Sequence, residues 1–160
     1  MSGYKRSELI AAIGKATQLY QDATDAFDDA ACEALGLNRT DLKCASVIAQ
    51  REPVPVGEIG KLAGLTRGAM TTAIDRIERA GYARRLRHPS DRRGVLVELT
   101  AKGRRAIDAI WGEYVRTAEA FFSSYSAQKL KKILRYLEEG RIAQQANMAR
   151  IKTLRIADRT

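Results

Sequence analysis

The sequence has few residues that bind metals or form disulfides, since its 160 residues include one histidine and two cysteines, Cys32 and Cys44. The cysteines are not spaced as a metal-binding pair, so we expect no metal and no cofactor. Sparse, unpaired cysteines are typical of a reduced intracellular compartment. No stretch approaches the ~18 consecutive apolar residues of a membrane span, and the first ten residues lack a signal-peptide core. These absences predict a cytoplasmic protein that does not bind membranes.

The sequence also lacks the side-chain sets that common enzymes use. The only histidine is His88, and no Ser-His-Asp set of the kind that hydrolases use is evident in the sequence. No glycine-rich loop of the phosphate-binding kind occurs. We therefore expect a protein without enzymatic activity.

Positive charge is present in excess, and it is unevenly distributed. The formal net charge is +9, which favours a polyanionic partner such as nucleic acid or an acidic membrane surface. Residues 84–105 hold eight basic and two acidic side chains, and residues 129–160 hold nine and three. Two separate basic blocks indicate two local electrostatic surfaces rather than a general solubility device.

Apolar residues that recur every three or four positions predict a long first helix, from about Ser7 to Leu35. Gly36 stands where a helix end favours a residue that adopts positive φ. Asn38 is predicted to cap a second helix, with Asp41 three residues later in the capping-box position.

The middle of the chain has the organisation of a helix-turn-helix. Residues 56–63 are predicted to form a short helix, Gly64 and Leu65 a turn, and Thr66 the N-cap of a helix from Arg67 to about Ala80. From Tyr82 the apolar pattern alternates, which predicts a strand up to about His88. A polar turn then leads to a second strand over residues 95–99. A hairpin directly after a helix-turn-helix is a wing.

Two further helices are predicted after the wing, one from Thr100 to about Ser123 and one capped by Ser126, with a frayed basic tail from Arg150. Apolar stripes on the terminal helices need a partner surface, which is either the other terminal helix of the same chain or a second chain. We favour a homodimer, because two recognition helices about 34 Å apart read one turn of DNA. The expected fold is mainly α (α+β), a winged helix-turn-helix domain over residues 37–103 with a two-stranded β wing, flanked by helical dimerisation segments 1–36 and 104–160.

The second helix of a helix-turn-helix places its N-terminal residues against base edges in the major groove of DNA. Here that part of the helix combines arginine, threonine and small residues, although each residue alone is also compatible with a solvated helix face. The candidate DNA contacts are Thr66, Arg67, Gly68, Met70, Thr71, Thr72 and Arg76.

The wing carries most of the first basic block. An arginine at a hairpin tip can enter the narrow minor groove, and we assign Arg93 to that role. Asp91 is expected to orient Arg93, while Arg92, with Arg84 or Arg87, is expected to contact phosphates. The alternative is an ordinary hairpin whose charges discourage aggregation at its edge.

At this point the sequence resembles the MarR family of bacterial transcriptional regulators. The matching segments are VGEIGKLAGLTRGAMTTAIDRIERAGYARR and HPSDRRGVLVELTAKG, of which Asp91-x-Arg93 followed by Leu99-Thr100 and Gly103 is the most specific part. The resemblance implies a homodimer that binds a pseudo-palindromic operator, and we expect a repressor. It also implies release from DNA by a small phenolic or lipophilic effector.

Other interpretations stay open beside this one. A cleft for an effector could be lined by Tyr20, Phe27, Trp111 and Tyr114, although aromatic residues at helical spacing are more often core. Cys32 and Cys44 are expected to be inert small apolar residues rather than redox sensors. A winged helix used for protein–protein contact, or an architectural DNA binder without sequence preference, would keep the same fold.

Overall fold

A computed structural model describes residues 5–90 and 94–154 of the chain, which form six helices and three strands in those ranges. The chain divides into two compact units, one ending at Glu113 and the other beginning at Tyr114. The elements in chain order are α1 (Arg6–Leu35), α2 (Arg39–Arg51), β1 (Val54–Pro55), α3 (Val56–Ala63), α4 (Arg67–Arg79), β2 (Ala83–Arg87), β3 (Val95–Leu99), α5 (Ala101–Phe122) and α6 (Ala127–Thr153).

The predicted helix boundaries are confirmed to within about two residues, except at the end of the last helix. Asn38 accepts a hydrogen bond from the backbone of Asp41, and the Asp41 carboxylate reciprocally accepts from the backbone of Asn38. Thr66 caps α4 by accepting from the N–H of Ala69. Gly36 ends α1 at φ 64°, a conformation that glycine adopts without steric cost. These local signals can be read from the sequence because each capping bond joins residues three or four positions apart.

The wing is part of a three-stranded antiparallel sheet with strand order β1-β3-β2. The β2–β3 hairpin is the predicted wing, with Arg85 opposite Val97 in its register. The third strand was not predicted from the sequence: β1 contributes Val54, which pairs with Val97 and is 1% exposed. A strand of two residues is too short to show an alternating pattern in the sequence, so only its pairing with β3 reveals it.

The core of the first unit lies between the helix-turn-helix and the sheet. α2, α3 and α4 each contribute a fully buried isoleucine, Ile48, Ile59 and Ile74. Val97 of β3 closes this core from the sheet side. Burying side chains of this size contributes about 1.5–3 kcal/mol each, so the packing fixes α4 against its two neighbouring helices. A second, smaller cluster joins α1 to α2 through Cys32, Leu35 and Leu42.

The second unit contains the last part of α5 and all of α6. α6 has no buried residue, and its large apolar side chains are exposed, among them Leu134 at 56% and Met148 at 52%. The helix continues to Thr153, so the expected fraying from Arg150 is wrong for residues 150–153. The unit therefore presents an apolar stripe that is not covered within the described residues.

Candidate nucleic-acid interface

The N-terminal part of α4 is exposed, as a DNA-reading helix requires. Thr66, Arg67, Gly68, Thr71 and Thr72 are all exposed. The Thr71 hydroxyl donates to the carbonyl of Arg67 at 3.0 Å, and the Thr72 hydroxyl donates to that of Gly68 at 3.0 Å. Each hydroxyl donates its only proton to a carbonyl of the same helix. Towards a ligand, both hydroxyl oxygens can therefore act only as hydrogen-bond acceptors. They suit the amino groups of adenine or cytosine, which are donors in the major groove.

Met70 belongs to the core instead of the interface, so its predicted contact with DNA is wrong. Its side chain is 4% exposed. A Cβ added at Gly60 would lie 2.9 Å from the Met70 sulfur, which shows how closely α3 and α4 approach at this point. The spacing of Met70, Ile74 and Ile77 was an available signal, since residues at these steps share one face of a helix.

Arg76 is also placed differently from the prediction. Its Nε and Nη2 donate to the two oxygens of Asp41 at 2.8 and 2.6 Å. The Asp41 side chain is 2% exposed, and its hydrogen bonds raise the pKa of Arg76. Because the guanidinium is bound by a buried carboxylate on α2, Arg76 positions α4, and a contact of its exposed part with DNA stays a prediction. Sequence reasoning missed this role of Asp41, which depends on a contact 35 residues away.

The wing arginines differ in their partners. Arg84 donates from Nε to Glu98 at 2.7 Å across the hairpin, with its side chain 64% exposed. Arg85 donates to Glu78 and, at 2.7 Å, to Asp75, so it joins the wing to α4. Arg87 is exposed and forms no ion pair within the described residues. The predictions for Arg84 and Arg87 stay predictions, while Asp91, Arg92 and Arg93 lie outside the described residues.

A groove of about 640 Å³ separates α3 and the start of α4 from the wing. Three basic side chains line it from three different elements: Lys61 of α3, Arg67 of α4, and His88 at the end of β2. The rest of its lining is mainly apolar or glycine. Lys61 was not among the candidate contacts, because nothing in the local pattern relates α3 to the wing.

The wing is anchored to the helices at its base. The Thr100 N–H donates to the Tyr82 carbonyl at 2.9 Å, and the Thr100 hydroxyl accepts from the N–H of Gly103 at 3.0 Å. The Tyr82 hydroxyl donates to the carbonyl of Leu35 at 3.2 Å, which reaches the end of α1. These bonds hold β2, α5 and α1 in one arrangement behind the interface.

The residues proposed for an effector cleft are only partly brought together. Phe27 and Trp111 form an edge-to-face pair with ring centroids 6.0 Å apart, and both are half-buried. Tyr20 is 60% exposed, and Tyr114 is 51% exposed and belongs to the second unit. Trp111 also packs against the cluster around Leu35, which favours a core role for part of this set.

Both cysteines are free and buried. Burial raises the pKa of the Cys32 thiol, and Arg39 only partly opposes that shift. Burial also raises the pKa of the Cys44 thiol. Thiols that keep their protons are poor nucleophiles and poor peroxide sensors, which agrees with their interpretation as inert apolar residues.

No helix among the described residues is long and apolar enough to cross a bilayer. In the same ranges, no group of three or more His, Cys, Asp and Glu side chains is arranged to hold a metal ion.

Known proteins resemble both the sequence and the fold. The sequence profile of the MarR family matches residues 37–95. YcgE, an uncharacterised HTH-type transcriptional regulator of Bacillus subtilis, is 31% identical over 126 residues, which are 79% of this chain and 82% of that protein. The multiple antibiotic resistance protein MarR of Escherichia coli is 40% identical over 62 residues, which are 39% of each chain.

Solved structures share the architecture at low sequence identity. A MarR transcriptional regulator from Methanosarcina mazei has a TM-score of 0.59 at 21% identity, over 88% of this chain and 99% of that one. A MarR protein from Peptoclostridium difficile has a TM-score of 0.59 at 17% identity, over 94% and 96% of the two chains. At these identities the similarity establishes the mainly α winged-helix fold.

Proposed function

Because the chain belongs to the MarR family of DNA-binding transcriptional regulators, we propose that it is a repressor that binds a pseudo-palindromic operator as a homodimer. In the proposed complex, α4 lies in the major groove and Arg93 of the wing enters the adjacent minor groove. The observation that carries this proposal is the two-sided character of α4. Its exposed face presents Arg67, Thr71 and Thr72, while Met70 and Ile74 hold the opposite face in the core.

The proposed partner of the terminal helices is a second copy of this chain. Ile10 and Ile13 of α1 are 54% and 43% exposed, and Leu134 and Leu137 of α6 are both 56% exposed. Several large apolar side chains that are exposed along one helix are typical of an interaction surface. A second copy is favoured because it also supplies the second recognition helix that a palindromic site requires. We accordingly assign residues 37–103 to DNA binding, and 1–36 with 104–160 to dimerisation.

The experiment that tests this proposal is selection of binding sites from a random pool of duplex DNA, followed by mobility-shift assays on the selected duplex. We expect a two-fold symmetric site that is bound by two protomers. Arg67→Ala should lower affinity at least about tenfold and change the preferred sequence, as the loss of a base contact does. Arg93→Ala should lower affinity by a similar factor.

The matched control is Lys15→Ala, which removes a positive charge from the exposed surface of α1 and should leave binding unchanged. Transcription in vitro from a promoter that carries the selected site should decrease when the protein is added. Selection of no consensus sequence would contradict specific binding, and unchanged affinity in both arginine variants would contradict the assigned contacts.

The proposal includes release from DNA by a small phenolic or lipophilic ligand. Its support is the Phe27–Trp111 pair, whose half-buried rings offer the apolar surface that such compounds bind. Trp111 is the chain's only tryptophan, so quenching of its fluorescence reports a ligand that binds beside it. Titration of phenolic and lipophilic compounds should yield one that quenches Trp111 and releases the selected duplex. Quenching without release would contradict this part of the proposal.

A further inference from the structure

The corner between α1 and α2 is held by a single arginine. Arg39, the first residue of α2, donates from Nε to a carboxylate oxygen of Asp29 at 2.6 Å. Its Nη1 donates to Asp25 and to Asp28, each at 3.3 Å, and its Nη2 donates to the backbone carbonyl of Asp25 at 2.5 Å. Because the donors of a guanidinium lie in one rigid plane, bonds to several acceptors fix the orientation of the two helices as well as their distance.

Little else fixes the direction of α1. Its buried residues are Ala31, Cys32 and Leu35, all within its last five residues. They form one small cluster with Leu42 of α2, and α2 is the element with which α1 packs most extensively. From its first residue to Asp28, α1 extends about 33 Å away from this corner, at about 1.5 Å per residue. The angle of this long segment is therefore set at its C-terminal end, where the arginine binds.

The first turn of α2 also binds the recognition helix. Asp41 lies two residues after Arg39, and its carboxylate accepts from Arg76 of α4 at 2.8 and 2.6 Å. One helical turn is thus bonded to α1 through Arg39 and to α4 through Asp41. Ile10 and Ile13, whose segment we assign to dimerisation, lie near the opposite end of α1. A rotation of α1 about this turn therefore changes the position of α4 relative to the proposed dimer interface.

The length of α1 amplifies small rotations. A rotation of about 6° displaces the far end of a segment of about 33 Å by about 3.4 Å, which is the rise of one base pair in DNA. We propose that Arg39, through its bonds to the aspartates of α1, fixes the separation of the two α4 helices in the dimer and so determines the spacing between the half-sites of the operator. This role rests on the dimeric binding of DNA proposed above.

Two simpler roles of Arg39 fit the structure less well. Asp25, Asp28 and Asp29 place three negative charges around one guanidinium, so this corner has no net positive charge to offer a phosphate. The Arg39 side chain is 42% exposed, and exposed ion pairs contribute little to the stability of a fold. Arg39 is therefore a positioning residue, whose loss should change the geometry of binding while the fold persists.

The experiment measures affinity as a function of half-site spacing. The probe is the duplex selected from the random pool, labelled for fluorescence anisotropy, together with versions that have one or two base pairs added or removed at the centre. One base pair rotates a half-site by about 35° and shifts it by about 3.4 Å, so the wild-type protein should prefer the selected spacing at least about tenfold. Arg39→Ala should bind the selected duplex about fivefold more weakly and prefer its spacing by no more than about twofold.

The base preference within each half-site distinguishes positioning from loss of structure. In Arg39→Ala, a base substitution in a half-site should lower affinity by the same factor as in the wild type, because α4 itself is unchanged. The slope of log affinity against log salt should also be unchanged. A slope reduced by about 0.9 per protomer would mean that Arg39 contacts a phosphate, and the inference would be wrong.

Two further variants complete the test. Asp29→Asn removes the shortest of the three ion pairs from the side of α1, and it should flatten the spacing profile in the same direction. Arg51→Ala is the matched control and should keep the wild-type profile, because Arg51 lies on the same helix but pairs with Glu58 of α3, at 3.5 Å. A wild-type profile in Arg39→Ala, or an equal flattening in Arg51→Ala, would overturn the inference while specific binding persists. If the wild-type protein selects no duplex, the proposed function fails and the inference fails with it.

Discussion

Gly103, at the first turn of α5, gives the sharpest prediction about stability. Its Cβ position lies 2.0 Å from the carbonyl oxygen of Tyr82 and 2.9 Å from the carbonyl carbon, and both of these atoms are backbone. Relief of this overlap in Gly103→Ala requires a shift of about 1.4 Å, because ordinary contacts at Cβ begin near 3.4 Å. The Tyr82 oxygen also accepts from the Thr100 N–H at 2.9 Å, and such a shift breaks this bond.

The expected loss of stability is the sum of the lost hydrogen bonding and the steric overlap. The lost hydrogen bond amounts to about 1 kcal/mol, and forced overpacking adds about 1–3 kcal/mol. We therefore expect Gly103→Ala to lower the free energy of unfolding by about 2–4 kcal/mol. For a chain of this length, that corresponds to a decrease in Tm of about 10 °C.

Thermal unfolding followed by circular dichroism, at equal protomer concentrations, measures this difference. Gly14→Ala is the matched control, because Gly14 lies within α1 and, beyond the neighbouring backbone of α1, no atom lies within 4 Å of its Cβ position. Alanine there should stabilise the protein by up to about 1 kcal/mol through its higher helix propensity. The same substitution thus has opposite signs at the two positions. A Gly103→Ala variant that melts at or above the wild-type temperature would refute the reasoning.

Two further predictions concern buried polar groups. Asp41→Asn should lower the free energy of unfolding by about 2–3 kcal/mol in urea titrations and weaken operator binding, because the Asp41 side chain that holds Arg76 is only 2% exposed. An unchanged urea midpoint would mean that the pair does not hold α4. Cys32 and Cys44 should react with a thiol reagent far more slowly in the native protein than in urea at pH 7.5, since burial raises the pKa of both thiols. Their reaction should accelerate only as the pH rises above the usual thiol range, and a native rate equal to that in urea would contradict this account.

The elements that sequence reasoning predicted correctly are those fixed by neighbours along the chain. The Asn38 capping box, the Thr66 cap and the end of α1 at Gly36 all depend on contacts within one turn. The two strands of the hairpin were likewise predicted from the alternating apolar pattern that begins at Tyr82. In each case the physical cause lies within a short window of sequence, so the pattern suffices.

The errors concern contacts between distant residues. β1 is a strand only because Val54 pairs with Val97, and Arg76 pairs with Asp41 only because the fold brings together two residues that are 35 positions apart. Met70 is the exception, since its helical spacing to Ile74 already indicated the buried face. Periodicity thus assigns a residue to one face of a helix, but which polar side chain binds another depends on the tertiary arrangement.

Contacts between distant residues also limit what the number of positive charges reveals about DNA binding. The basic block that contains the wing includes Arg84 and Arg85, yet Arg84 is paired with Glu98 and Arg85 with two carboxylates of α4. A paired arginine adds little net potential, so the cations that replace counterions on DNA must come chiefly from side chains without such partners. Within the described residues, Arg67 and Arg87 are exposed and form no ion pair. The salt dependence of binding should therefore correspond to fewer phosphate contacts than the number of arginines suggests, with each contact contributing about 0.9 to the slope.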